Sequence, residues 1–209
     1  MTKVLVIQAH PHIDNSLSLT VGKEFVEDYK KSHPNDEVVI RDLFTEEGVP
    51  ALNDVTMIAW KKQKFGQEMT DEEKETIKKH DEWLDEFISA DKYIFINPMY
   101  NHFLPAEMKQ YLDLTAIARK TFKYTPEGAV GLLTGKKAMH IQAAGGKYHS
   151  EDANPMMDLG SVYLTKMLNF YGINDIDNIF IEGADENPEK RQEILEKALQ
   201  DAQAKAPKF

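Results

Sequence analysis

The sequence has no cysteine, a deficit of basic residues and no long apolar run. The absence of cysteine excludes a disulfide framework, a thiolate zinc site and a cysteine nucleophile, and it suits a reducing cytoplasm. Lys and Arg number 25 against 35 Asp and Glu, a formal charge of −10 that argues against general binding to nucleic acids or anionic membranes. Met1 to Lys3 lead directly into an apolar strand, which leaves no room for a signal peptide. We therefore expect a cytoplasmic protein with no nucleic-acid or membrane partner.

The length of the chain, 209 residues with 42% hydrophobic content, allows one substantial core. We therefore expect residues 1–209 to form a single domain. Five short apolar segments alternate with segments of helical periodicity, and they are read as strands. The predicted strands are Val4–Ile7, Glu37–Arg41, Tyr93–Ile96, Lys137–Gln142 and Ile179–Ile181. This alternation predicts an α/β fold with a doubly wound, five-stranded parallel sheet in the order 2-1-3-4-5, whose ligand crevice lies at the carboxyl ends of the strands.

Helix boundary signals separate these strands. Thr70 begins a capping-box sequence, and Pro105 is well placed as the first residue of the helix after the third strand. A helix from about Met156 is expected to end at Gly172 in a left-handed conformation. The pair Asn187-Pro188 is expected to begin the last helix, with Asn as the N-cap.

Three loops with unusual residues follow the first, third and fourth strands, which would be adjacent in the predicted order. The first loop, His10 to Ser18, leads into a helix N-terminus, where unpaired N–H groups and the helix dipole stabilise a phosphate. In the alternative interpretation, Asn15, Ser16 or Ser18 is only the N-cap of that helix.

The other two loops suit the polar edge of a flat ring system. Asn97 to Pro105 follows a wholly apolar strand, and its two prolines stiffen a backbone that offers N–H and C=O groups to a planar ligand. Gly145 and Gly146 allow close backbone approach to a ligand and positive φ angles, although the pair is equally compatible with a plain turn. We expect the three loops to converge on one crevice.

With these motifs in place, the chain resembles the family of FMN-dependent NADH:quinone oxidoreductases and azoreductases, within the flavodoxin-like superfamily. The segments that carry the resemblance are Lys3–Val6, Arg41–Leu43, Pro98–Asn101, Lys109–Asp113, Thr121-Phe122, Tyr124-Thr125, Gly131–Lys137 and Gly145-Gly146. The resemblance implies a flavodoxin-like fold, FMN as the bound cofactor, and NADH as electron donor, with NADPH also possible.

The resemblance also implies which residues contact the flavin. They are His10, Ser16, Leu17, Ser18, Pro98, Met99, Tyr100, Asn101, His102, Ala143, Ala144, Gly145 and Gly146. Four residues, His10, His102, Ala143 and Ala144, depart from the azoreductase pattern. His10 lies in an Ala-His-Pro context similar to the mammalian-type quinone reductases, in which such a His contacts the cofactor phosphate. His102 replaces an aromatic residue, and Ala143-Ala144 replace Ser-Arg, which leaves only backbone contacts.

The mechanism implied by the resemblance is a ping-pong hydride transfer from NADH to the flavin and then to a quinone or azo compound, with the chemistry supplied by the cofactor. Candidate substrate-contacting residues are Phe122, Tyr124, Tyr148 and Phe170, with Tyr100 as a further wall; each is also compatible with a core or interface role. We assign no essential catalytic side chain, because water can protonate a reduced quinone. The segment Lys120 to Gly131 is expected to form a loop or short hairpin over the pocket.

The family further implies a homodimer with the flavin at the subunit interface, and Met57, Ile58 and Trp60 could form a short helix at such a surface. One alternative is a flavodoxin-type electron carrier that does not itself oxidise NADH. Another is a zinc-dependent hydrolase, because His10, His12 and Asp14 resemble part of the His-Pro-Asp-Asp segment of zinc-dependent sugar deacetylases. The second acidic residue and a downstream His-x-x-His are both absent, so we expect no metal site. We expect His12, His33 and His80 to face solvent.

Overall fold

The computed structural model describes residues 1–11, 14–150 and 152–209. The strands are β1 (Lys3–Gln8), β2 (Glu37–Asp42), β3 (Lys92–Pro98), β4 (Phe122–Thr125), β5 (Gly128–Gly131), β6 (Lys137–Ala144) and β7 (Asp175–Glu182). The α-helices are α1 (Leu17–Ser32), α2 (Asp54–Lys64), α3 (Asp71–Ser89), α4 (Ala106–Thr115), α5 (Leu159–Tyr171) and α6 (Arg191–Lys205). Short 3-10 turns occupy Pro155–Met157, Pro188–Lys190 and Ala206–Lys208.

The main sheet has five parallel strands in the order β2-β1-β3-β6-β7. The predicted doubly wound sheet and its strand order are therefore confirmed. The remaining two strands, β4 and β5, form an antiparallel hairpin, which confirms the hairpin interpretation of that segment. The sheet brings the carboxyl ends of β1, β3 and β6 side by side.

Side chains from the two faces of the sheet form two separate cores. On β3, Tyr93 and Phe95 belong to the core shared with α3, α4 and α5, whereas Ile94 and Ile96 belong to the core shared with α1 and α6. All four are buried, as expected for a central parallel strand covered on both faces. Burying both faces of the sheet holds the strand ends, and hence the loops that follow them, in fixed positions.

Helix boundaries agree with the sequence signals at some positions and differ at others. Thr70 forms the predicted capping box with Glu73, and Gly172 ends α5 with a φ of 95°. Pro105 is extended, with a ψ of 148°, and precedes α4 instead of being its first residue. Its carbonyl accepts the N–H of Lys109 at 3.1 Å, so the residue acts as the N-cap, where a missing N–H costs nothing.

Two further helix starts were predicted too early. The α5 helix begins at Leu159 rather than Met156, because Asp158 is its N-cap and accepts the N–H of Ser161 at 2.9 Å. Pro188 begins a 3-10 turn, and α6 follows only at Arg191. In both places a proline-initiated 3-10 turn precedes the α-helix, and the residue before each proline carries the sequence signal of an N-cap.

Histidine exposure was predicted wrongly for His80. Its side chain is buried in α3, where Nε2 lies 3.2 Å from the Ala51 carbonyl and Trp60 packs edge-on against the ring. Burial lowers the pKa of His80. His33 is half-buried and stacks on Tyr29, so full solvent exposure is wrong there as well. His12 lies outside the described residues.

Candidate functional site

A cavity of about 190 Å³ opens at the carboxyl edge of the sheet, where the loops after β1, β3 and β6 meet. Ten of the predicted cofactor contacts line it: His10, Ser16, Leu17, Ser18, Pro98, Met99, Tyr100, Ala143, Ala144 and Gly145. Asn101, His102 and Gly146 lie in the same two loops without lining it. The expected convergence of the three loops is therefore present.

A fourth loop, which sequence reasoning missed, also lines the cavity. It follows β7 and contributes Ala184 and Asp185, and the first residue of α6 contributes Arg191. Nη2 of Arg191 donates to the carbonyl of Asn15 at 2.8 Å, so the guanidinium lies beside the start of α1. The sequence feature that could have revealed this loop is a basic residue, Arg191, at the start of the helix that follows the last strand. A cation and a helix N-terminus together favour an anionic group here.

The first loop ends in an N-cap that leaves further donors for a ligand. Oγ of Ser16 accepts the N–H of Leu19 at 3.3 Å, which confirms Ser16 as the N-cap. Oγ of Ser18 lies 3.3 Å from Oγ of Ser16, and Ser18 is buried. A capping hydroxyl accepts through its oxygen and keeps its hydrogen free to donate. The capping role and a phosphate-binding role are thus compatible.

The second loop has a rigid backbone. Tyr100 and Phe103 exchange backbone hydrogen bonds of 2.9 Å, and Asn101 and His102 between them adopt φ angles of 50° and 63°. The N–H of Met99 donates to the carbonyl of Ala143 at 2.7 Å, which ties this loop to the end of β6. The turn conformation is therefore already formed, with two residues in the left-handed region.

Buried polar side chains support this loop from below, and the sequence reading did not identify them. Nδ2 of Asn97 donates to the carbonyl of Pro98 at 2.9 Å, and its Oδ1 lies 3.0 Å from Nε2 of His140. Burial lowers the pKa of His140 to about 3, so the imidazole is neutral and donates from Nε2. Gln142 extends the chain of hydrogen bonds to Asp158, at 2.6 Å.

The third loop does not use the positive φ angles expected of its glycines. Neither Gly145 nor Gly146 adopts one, so that expectation was wrong. Close approach is present at Gly145, where an added Cβ would lie 2.3 Å from Oδ2 of Asp185. The group that approaches is thus a side chain of the fourth loop. Oη of Tyr148 lies 3.3 Å from Nδ1 of His102, so the second and third loops are in contact.

The four predicted substrate contacts fall into two groups. Phe122 packs on Phe170 and Tyr124, with ring centroids 4.2 and 5.4 Å apart, whereas Tyr148 lies in the third loop. The α5 helix begins beside His102, whose carbonyl accepts the N–H of Gly160 at 3.2 Å, and Phe170 lies near its other end. Ten residues of helix rise by about 15 Å. Within one chain, the clustered aromatic residues Phe122, Tyr124 and Phe170 therefore lie well away from the cavity.

One cluster of side chains has the spacing of metal ligands. Over residues 1–11, 14–150 and 152–209, one group of His, Asp and Glu has ligand atoms within 4.8 Å of one another, and it consists of His149, Asp158 and Glu182. The hypothetical zinc ligands included His12, which lies outside the described residues. No helix in the described part of the chain has the length and apolar character needed to cross a membrane.

Comparison with known proteins places this geometry in a family. The family described as "Flavodoxin-like fold" matches residues 2–206. A relative from Lactiplantibacillus plantarum named FMN-dependent NADH:quinone oxidoreductase 2 is 54% identical over 210 residues and covers 100% of both chains. The chain belongs to this family. The family resemblance and the flavodoxin-like fold predicted from the sequence are both confirmed.

Other family members agree along the whole chain. A Bacillus subtilis protein named FMN-dependent NADH:quinone oxidoreductase 2 is 46% identical and covers 95% of each chain. The crystal structure of a Bacillus anthracis FMN-dependent NADH-azoreductase in complex with FMN has a TM-score of 0.92 at 36% identity, over 99% of each chain. An azoreductase structure from the same species has a TM-score of 0.91 at 35% identity over 100% of each chain.

Proposed function

We propose that this protein is an FMN-dependent NADH:quinone oxidoreductase that also reduces aromatic azo compounds. The observation that carries the proposal is the convergence of an anion-binding helix start and two rigid, hydrogen-bonded loops on one cavity. Family members at up to 54% identity carry the quinone oxidoreductase name, and a structural relative was solved with FMN.

The residues present fit the phosphate of FMN. Ser16 and Ser18 offer hydroxyl groups, the first turn of α1 offers backbone N–H groups, and Arg191 adds a positive charge beside them. His10, which is buried in the same lining, is proposed as a further phosphate contact. Together these groups would hold a dianion at the end of β1.

The second and third loops would hold the flavin ring. Backbone groups from Pro98 to His102 and from Ala143 to Gly146 are proposed to contact its polar edge, and Tyr100, which is 40% exposed, would form a wall. Bound FMN supplies the hydride chemistry. The rigid turn at Asn101 and His102 would orient the ring without further ordering of the backbone. One flat slot used in turn by NADH and the acceptor gives the proposed ping-pong order.

The clustered aromatic residues are proposed to act across a homodimer. Tyr124 is 74% exposed at the tip of the β4–β5 hairpin, and Phe122 and Phe170 lie beneath it. Since these residues lie far from their own cavity, they can wall a substrate slot only at the cavity of a second copy. Met57 and Ile58 on α2 are 56% and 49% exposed and are proposed to belong to the same dimer surface.

The test is a visible absorption spectrum of the protein with added FMN, followed anaerobically through titration with NADH, then with NADPH in a separate sample, and then through addition of a benzoquinone. We expect complete bleaching by NADH and rapid return of the oxidised spectrum with the quinone. Bound flavin that NADH does not bleach would instead identify an electron carrier. Absence of flavin binding would contradict both functions.

A matched pair of variants tests the dimer contribution. Tyr124→Ser should lower the rate of quinone reduction several-fold, because its exposed ring is proposed to wall the substrate slot of the second copy. The FMN dissociation constant should change less, because the proposed phosphate contacts are intact. Lys123→Ser alters the neighbouring exposed position on the same strand and serves as the control. Sedimentation of the parent at several concentrations should report a dimer.

A further inference from the structure

The segment Gly145–His149 is fastened to the end of β7 at two places. The carbonyls of Gly145 and Gly146 accept backbone N–H groups of the loop after β7, and Tyr148 and His149 are held by one carboxylate. The backbone N–H groups of Tyr148 and His149 both donate to Oε2 of Glu182, each at 3.0 Å. Nδ1 of His149 lies 2.6 Å from the other oxygen, Oε1. Two consecutive residues thus make three contacts with a single side chain that is only 11% exposed. Charge-assisted hydrogen bonds of this kind are among the stronger ones in proteins.

The imidazole of His149 is held on its other sides as well. Its ring is stacked on Phe180, with centroids 3.7 Å apart and an interplanar angle of 3°. Nε2 lies 4.0 Å from Oδ2 of Asp158, a fully buried carboxylate that also caps α5. The ring is therefore held by a hydrogen bond on one edge and by stacking on one face.

A metal ion is the competing explanation for this cluster, because His149, Asp158 and Glu182 bring ligand atoms within 4.8 Å of one another. The two ring nitrogens, however, face different carboxylates. A metal on Nε2 would leave Glu182 on the opposite side of the ring, bonded to Nδ1. The geometry therefore favours a ring held between two carboxylates over three ligands around one ion.

We propose that Glu182 is a positioning residue for the flavin: together with His149, it holds the backbone of Gly145 and Gly146 against the cofactor. This inference rests on the proposed function. The segment contains two adjacent glycines, whose backbone is the most costly to order on ligand binding. Glu182 ends a paired strand, opposite Ala144 in register, so it provides a fixed point next to the loop.

The contacts of Glu182 with Tyr148 and His149 are called the clamp. Glu182→Gln weakens the clamp with little change in side-chain shape. The amide keeps one acceptor oxygen but loses the negative charge, and its NH₂ group cannot accept the hydrogen bonds that the second oxygen accepted. Asp175→Asn is the matched control, because it removes one negative charge from the exposed start of the same strand.

Local opening of the segment can be measured without the cofactor. Lys147 is exposed, and the peptide bond that trypsin would cut after it carries the Tyr148 N–H that Glu182 holds. We expect Glu182→Gln to accelerate cleavage after Lys147 about 10-fold, while cleavage after Lys64, at the end of α2, keeps its parental rate. The FMN dissociation constant, from quenching of flavin fluorescence, should rise by a similar factor.

The outcomes separate this inference from the proposed function. Unchanged cleavage after Lys147 in Glu182→Gln, or an equal acceleration after Lys64, would overturn the clamp. Faster local cleavage with unaltered FMN affinity would overturn the positioning role. Acceleration by EDTA in the parent would show that a metal, not the hydrogen bonds to Glu182, holds the segment. If the parent binds no FMN, the proposed function fails, while the cleavage ratio still decides whether the clamp exists.

Discussion

Nε2 of His140 lies 3.0 Å from Oδ1 of Asn97, and both side chains are completely enclosed beneath the Pro98–His102 loop. This contact determines the protonation state of His140 and the orientation of the Asn97 amide. The imidazole has to stay neutral with its hydrogen on Nε2, and the Asn97 amide is left with its NH₂ group to donate to Pro98 and Gln142. The loop proposed to hold the flavin ring therefore depends on a group whose protonation is excluded by burial.

Acidification should destabilise the protein through His140. Above the ordinary histidine pKa of about 6.5, the residue is neutral in both folded and unfolded chains. Below that pH the unfolded chain binds a proton, whereas burial lowers the pKa of His140 in the folded chain to about 3. The free energy of unfolding should therefore fall, by up to about 1.4 kcal/mol per pH unit, as the pH drops through this window.

Urea unfolding at a series of pH values measures this dependence. His140→Gln keeps an N–H donor towards Asn97 but does not titrate, so its stability should fall less steeply with acidification than that of the parent. His33→Gln provides the comparison for a histidine that is only half-buried. If the free energy of unfolding fell equally steeply with pH in His140→Gln and in the parent, His140 would not be the cause of the acid destabilisation.

Asn97→Asp should damage both stability and flavin binding. The substitution replaces the NH₂ group by an oxygen that faces the carbonyl of Pro98 at 2.9 Å, and it buries a carboxylate beside the neutral ring of His140. We expect a loss of about 2–4 kcal/mol in the free energy of unfolding. Asn174→Asp, at an exposed site, is the control for the added charge. A variant as stable as the parent would show that Asn97 does not carry the loop.

Gly131→Ala should displace the β4–β5 hairpin. An added Cβ would lie 2.1 Å from the backbone nitrogen of Gly172, which cannot move without unwinding the end of α5. We expect a loss of about 1–3 kcal/mol, seen as a lower melting temperature. In Gly146→Ala the new methyl would lie 3.2 Å from the flexible end of Glu186 and at ordinary contact distance, 3.6 Å, from the Tyr148 ring, so stability should hardly change. Similar melting temperatures for the two variants would rule out this packing argument.

Substitutions of Ser16 and Ser18 should separate the helix-capping role of these serines from their proposed role in FMN binding. Ser16→Ala removes the N-cap hydrogen bond to Leu19 and should cost about 1 kcal/mol of stability as well as FMN affinity. Ser18→Ala keeps that cap, so we expect weaker FMN binding with a smaller change in the melting temperature of the apoprotein. Fluorescence titration and thermal unfolding measure the two quantities. A normal FMN affinity in Ser18→Ala would remove it from the proposed phosphate site.

The fold was predictable because its signals are local and strong. The apolar run Tyr93–Ile96, the capping box at Thr70 and the helix end at Gly172 each follow from residue chemistry, and the alternation of elements then leaves few topologies. Errors fell at Pro155 and Pro188, where a proline begins a 3-10 turn before the α-helix. A sequence alone does not distinguish these two ways of starting a helix.

The residues of the cavity were predictable only in part. Three lining loops follow strands whose adjacency could be deduced, but Arg191 reaches the cavity through a bond to Asn15, 176 residues away. The sequence does signal the burial of two histidines, since His80 has helical spacing from Ile77 and Leu84, and His140 lies between Met139 and Ile141 in a predicted strand. The partners of the two rings, however, come from distant parts of the chain. Likewise, the contact of Glu182 with the third loop depends on the register of β6 and β7. Such long-range pairings are set by tertiary packing instead of local pattern.

The central position of β1 has a consequence for synthesis of the chain on the ribosome. This strand is made before both of its neighbours, β2 and β3, and β3 begins only at Lys92. At translation rates of 5–20 residues per second, its second neighbour is complete roughly 5–20 s later. During that interval the apolar Val4–Ile7 edge has no partner on one side. The nascent chain must therefore avoid aggregation for seconds before the sheet that carries the cofactor site can close around its first strand.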